Sequence, residues 1–65
     1  MNTKKIGERL AKLRGNRTPA EVAKKLKISP TALSAYENGD RIPRDAVKIR
    51  IAKFYDVSVQ DLFFK

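Results

Sequence analysis

Residues 18–39, Thr-Pro-Ala-Glu-Val-Ala-Lys-Lys-Leu-Lys-Ile-Ser-Pro-Thr-Ala-Leu-Ser-Ala-Tyr-Glu-Asn-Gly, read as two short helices joined by a tight turn. Thr18 stands as an N-cap, with Pro19 at the first helical position and Glu21 three residues on, the pattern of a capping box. That helix runs to about Leu26. Ser29 and Pro30 repeat the start signal, and Gly39 offers a left-handed exit after Leu33 and Tyr36. Val22, Ala23, Leu26, Ile28, Leu33 and Tyr36 fall on the inside of the pair, with small Ala23 where two helix backbones approach.

Working outward, Ile6, Leu10 and Leu13 recur at steps of four and three among charged residues, an amphipathic helix beginning near Thr3 and stopped by Gly15 and Asn16. After the loop Asp40 to Arg44, which contains Pro43, Asp45 is expected to cap a fourth helix with Val47, Ile51, Phe54 and Tyr55 on one face. Ile49 lies off that stripe. Ser58, with Asp61 three residues on, starts a last short helix whose Val59, Leu62, Phe63 and Phe64 exceed what one inward face can use. The β-branched residues between 47 and 59 keep helical rather than alternating spacing, so the expected fold is all-α: five short helices in one small domain spanning 1–65.

Composition narrows the partner. The 65 residues contain no cysteine, which removes disulfide and zinc-finger scaffolds, and one modest helical core must supply the stability. Fifteen Lys and Arg against seven Asp and Glu give a formal charge of +8, attractive to a polyanion. No apolar run approaches the roughly 20 residues of a membrane span, and the basic start leads into an amphipathic pattern rather than a signal peptide. The expected location is the cytoplasm, with no membrane partner. With no histidine or cysteine, no glycine-rich phosphate loop and no paired carboxylates at helical spacing, neither catalytic residues nor a metal site nor a cofactor is expected.

In order and spacing, Ile-Gly-Glu-Arg-Leu-Ala-Lys-Leu-Arg at 6–14, the helix pair at 18–36, Glu-Asn-Gly at 37–39, Arg-Ile-Pro at 41–43 and Ile-Ala-Lys-Phe-Tyr-Asp-Val-Ser at 51–58 resemble one family. It is the Cro and lambda-repressor type of helix-turn-helix regulator, also called the xenobiotic response element family. The resemblance implies a lambda-repressor-like domain with its helix-turn-helix at 18–39 and the third helix in the major groove of double-stranded DNA. It places Pro30, Thr31, Ser34 and Ala35 toward the bases. None of these is an Asn, Gln or Arg capable of bidentate contacts, so readout is expected to rest on the Thr31 and Ser34 hydroxyls and on contacts of Pro30 or Ala35 with thymine methyls. Thr31 and Ser29 also serve a helix start.

Lys12, Arg14, Arg17, Thr18, Asn38, Arg41, Arg44 and Lys48 are the phosphate-contact candidates, Arg41 and Arg44 first among them. Asn38 serves equally well as a helix-ending residue. The resemblance also implies an ion pair between Arg14 and Glu37, tying the first helix to the third. Two features depart from the family pattern: a shorter connection from Arg14 to Pro19 that lacks the usual leucine, and Lys27 where glycine is common, which costs about 1 kcal/mol if the turn is left-handed.

A homodimer is expected through the last helix, anchored by Val59, Phe63 and Phe64 with Ile49 beside them, reading an inverted repeat with half-sites roughly 34 Å apart. The function expected is a repressor of the kind found in prophages and mobile elements. The rival from another class is a protein-interaction module, an antitoxin or anti-repressor using the same fold, because a row of small side chains suits a protein contact as well as a groove.

Overall fold

The computed structural model describes residues 2–65, and its five helices are α1 (Thr3–Arg14), α2 (Pro19–Leu26), α3 (Pro30–Glu37), α4 (Asp45–Tyr55) and α5 (Val59–Phe63). Four of the five starts are marked by a side-chain cap. The Asn2 side chain accepts from the Lys5 N–H at 3.0 Å, Thr18 from Glu21 at 3.2 Å, Ser29 from Ala32 at 3.0 Å and Ser58 from Asp61 at 2.9 Å. α4 is the exception and a correction to the expected Asp45 cap. Arg44 holds the extended N-cap conformation without a side-chain bond, and Asp45 is the first helical residue. Its carboxylate still sits at the positive end of the helix dipole, where it is favourable.

Three exits share one geometry. Lys27 (φ 60°), Gly39 (φ 79°) and Asp56 (φ 56°) all have positive φ. The N–H of the following residue reaches back to close the turn: Ile28 to Ala23 O at 3.0 Å, Asp40 to Ala35 O at 2.9 Å and Val57 to Ala52 O at 3.0 Å. The turn between α2 and α3 therefore keeps its left-handed residue despite the lysine. The short connection after α1 closes on Gly15, whose φ 59° and ψ −128° lie where side chains with a Cβ are strained.

The core gathers Ile6 and Leu10 of α1, Val22, Ala23 and Leu26 of α2, Leu33 and Tyr36 of α3, Ile51 of α4, and Leu62 and Phe63 of α5. α1 packs most extensively on α3. The contact is possible because residue 7 lacks a side chain: a Cβ there would meet the Glu37 carbonyl oxygen head-on and stand 2.9 Å from both Glu37 C and Tyr36 O. Long-range bonds from arginines close the rest. Arg50 donates to the Leu26 carbonyl at 2.8 Å, satisfying the end of α2 from α4, and Arg9 donates to Leu62 O at 3.1 Å and Lys65 O at 2.6 Å.

Candidate functional site

α3 turns Leu33 and Tyr36 into the core, which leaves the opposite side of the helix outward. Pro30, Thr31 and Ser34 are exposed, Ala35 is half-buried, and together with Asn38 and Asp40 they line one shallow open groove. The Ala35 carbonyl accepts from the Asp40 N–H at 2.9 Å and the Arg41 N–H at 3.3 Å, so the loop after α3 folds back over its last turn. The Asn38 amide donates to Ser34 Oγ at 3.4 Å, a long bond that leaves both groups able to take other partners.

One ion pair ties the end of the helix that carries this face to α1. Arg14 Nε lies 2.8 Å from Glu37 Oε2 and 3.2 Å from Oε1, while Nη1 donates to the Arg17 carbonyl at 2.7 Å. The two side chains are 21% and 10% exposed, so water screens the pair only in part. The hydrogen bond to Glu37 raises the Arg14 pKa further above its ordinary value, against the opposing effect of burial. One guanidinium thus joins the end of α1, the loop after it and the end of α3.

The phosphate-contact candidates lie in several separate places. Arg41 and Arg44 are exposed on the segment that leaves α3, with the Arg41 guanidinium 6.0 Å from the Tyr36 ring centroid. Thr18 and Arg17 are exposed before α2, and the Arg17 guanidinium sits over Phe54 at 5.5 Å and Tyr55 at 5.9 Å. Lys12 is elsewhere, in a hollow lined also by Arg9, Leu13, Val57, Asp61 and Leu62, between α1 and α5. Lys48 is a correction. It is only 8% exposed, its ammonium 3.6 Å from Asp45 and over the rings of Phe63 (5.8 Å) and Phe64 (5.2 Å). A cation packed that way is not presented to a phosphate.

The aromatic pair near residue 64 resolves unequally. Phe63 is 1% exposed and belongs to the core, which removes it from the expected anchors, whereas Phe64 and Ile49 are 51% and 53% exposed. Ile49, Val59 and Phe64 line one hollow with Asp45 and Lys48.

Sequence reasoning missed four residues that matter here. Gly7 sets the α1–α3 distance, and nothing local in its neighbourhood announces it. The sequence assigns Arg9 and Arg50 no role, and they satisfy carbonyls of distant elements. Asp40 read as loop and instead lines the groove of α3. Among the described residues no group of His, Cys, Asp or Glu is arranged to hold a metal, and no helix is long and apolar enough to cross a membrane.

The helix-turn-helix family model matches residues 9–62, nearly the whole of this architecture. The chain belongs to the helix-turn-helix family. The resemblance to Cro and lambda-repressor type regulators is borne out by that match. Among solved structures, this helix-turn-helix chain is similar to the DNA-binding domain of BldD, with 28% identity, a TM-score of 0.75, and coverage of 94% of this chain and 92% of that one. The all-helical fold expected from the sequence agrees with this likeness. No curated protein sequence matches the chain.

Proposed function

We propose that this helix-turn-helix protein binds double-stranded DNA sequence-specifically and regulates transcription, with α3 lying in the major groove. The observation that carries the reading is the outward row on α3, which lines an open groove, with exposed cations Arg41 and Arg44 in the segment that follows the helix in the chain. A major groove about 12 Å wide admits a helix, and a helix with short side chains approaches the base edges closely. Thr31 and Ser34 supply hydroxyls that donate or accept, and Pro30 and Ala35 supply apolar contacts for thymine methyls. Arg41, Arg44, Arg17 and Asn38 serve phosphates, with Thr18 and the N–H groups at the start of α2 assisting. The charge of +8 adds a sequence-independent attraction that falls steeply with salt.

The Arg14–Glu37 pair acts behind this surface by holding α3 at a fixed angle to α1. The protein works as a homodimer that covers the patch of exposed Ile49 and Phe64 with half-buried Val59 and presents two copies of α3 to half-sites one turn apart, roughly 34 Å. Occupying a promoter in that way blocks polymerase, which makes repression the simplest outcome.

Selection from a random duplex pool at two salt concentrations tests the proposal. Enrichment of an inverted repeat supports it; equal, salt-sensitive binding to every sequence leaves only an architectural role. Absence of binding at moderate salt transfers the α3 row to a protein partner.

A further inference from the structure

We propose that Asp40 is a base-selecting residue, its carboxylate accepting a hydrogen bond from the exocyclic amine of a cytosine in each half-site and rejecting guanine and thymine there. The inference rests on the DNA-binding reading and goes beyond it by assigning a base to a residue outside the helix. Asp40 lines the same groove as Pro30, Thr31, Ser34, Ala35 and Asn38, and it is the one charged side chain among them. Its N–H is bonded to Ala35 O at 2.9 Å, so its backbone is fastened to the last turn of α3 and travels with the reading face. The residue is exposed, and among the described residues its carboxylate takes part in no ion pair. The adjacent Arg41 guanidinium is placed over the Tyr36 ring instead.

A free carboxylate within a Debye length of the phosphates is repelled by them. Inside the major groove one kind of contact offsets that repulsion, a hydrogen-bond donor on a base. Cytosine presents N4–H₂ alone; guanine presents the acceptors N7 and O6, thymine the acceptor O4, and adenine sets N7 beside its amine. A carboxylate therefore ranks cytosine first and guanine and thymine last. The hydroxyls and methyls of Pro30, Thr31, Ser34 and Ala35 have no comparable power to reject a wrong base.

The test is duplex selection with the parent, Asp40→Asn and Asp40→Ala, each checked by circular dichroism. Among the described residues the side chain makes no hydrogen bond or ion pair, so both variants are expected to fold. The parent is expected to enrich cytosine at one position of each half-site. Asp40→Asn switches that column to adenine, because an amide pairs bidentately with N6 and N7, and Asp40→Ala leaves it degenerate, with about tenfold of discrimination lost. If both variants instead bind all duplexes more tightly with every column unchanged, Asp40 is only a repulsive charge and the assignment is overturned. If the parent itself enriches no site, the sequence-specific reading fails and the assignment falls with it, an outcome separate from the unchanged columns.

Discussion

Replacing Gly7 by alanine sets two effects of known size against each other. Alanine is the better helix former by about 1 kcal/mol, so in an isolated α1 the substitution stabilises. In the folded chain the new methyl points at the backbone of α3, with Glu37 C and Tyr36 O only 2.9 Å from its position and the Glu37 carbonyl oxygen closer still. Backbone atoms cannot rotate aside as a flexible side chain would. Either the seam absorbs the contact as strain, which in packed interiors costs about 1–3 kcal/mol, or α1 and α3 part. Ile6, Leu10, Leu33 and Tyr36 all belong to the core these two helices build. Their burial is worth about 1.5–3 kcal/mol each, and a gap of about 0.5 Å forfeits on the order of a quarter of such packing. The two routes meet at roughly 1.5–3 kcal/mol, and the propensity gain returns about 1, leaving a net loss of about 0.5–2 kcal/mol. For a domain of this size that lowers the melting temperature by roughly 3–15 °C. The assay is thermal unfolding followed at 222 nm, with Glu8→Ala as the control because Glu8 is exposed on the same helix. A Gly7→Ala variant as stable as the parent would refute the close-approach argument.

Four further outcomes are expected. The Tyr55 hydroxyl is buried without a hydrogen-bond partner among the described residues, so Tyr55→Phe keeps the edge-on contact with Phe54 and stabilises by about 1 kcal/mol; a lower melting temperature would mean that the hydroxyl has a partner. Burial, then the nearby Glu37 charge, raises the Tyr55 pKa above 10.0. The neutral form is therefore favoured in the fold: its stability contribution is complete below the unfolded value near 10 and is lost as pH rises through the folded value, so the advantage of Tyr55→Phe widens in alkali. Glu37→Ala removes the acceptor of the Arg14 bonds and should cost about 1.5–3 kcal/mol in urea unfolding; an unchanged midpoint would make the pair idle. Lys27→Gly relieves a left-handed lysine and should raise stability by about 1 kcal/mol, while Asp56→Gly gains less because aspartate tolerates that conformation better. Arg44→Ala should weaken binding to all duplexes alike and reduce the slope of log affinity against log salt by about 1; an unaltered slope would remove Arg44 from the phosphate contacts.

The sequence by itself determined the local events. Thr18, Ser29 and Ser58 mark helix starts because a hydroxyl at an N-cap needs nothing beyond the next three residues, and each forms that bond. The order of helices and the inward set from Val22 to Tyr36 follow from periodicity, which is also local. The start of α4 fell one residue from expectation because Asp45 satisfies the helix dipole at its first position as well as at a cap. Tertiary structure decided everything that depends on which remote element arrives. Phe63 and Phe64 are adjacent and chemically identical, yet one ring fills the core and the other stays outside. Lys48 is a surface charge by composition until α5 closes over it, and Arg9 is one until the carbonyls of Leu62 and Lys65 come within reach. Gly7 is needed only because the end of α3 lies against it, and Asp40 joins the α3 groove only because its N–H folds back to Ala35. A propensity is summed over neighbours in the chain, whereas burial and close approach are properties of neighbours in space, and a helical period does not encode which those are.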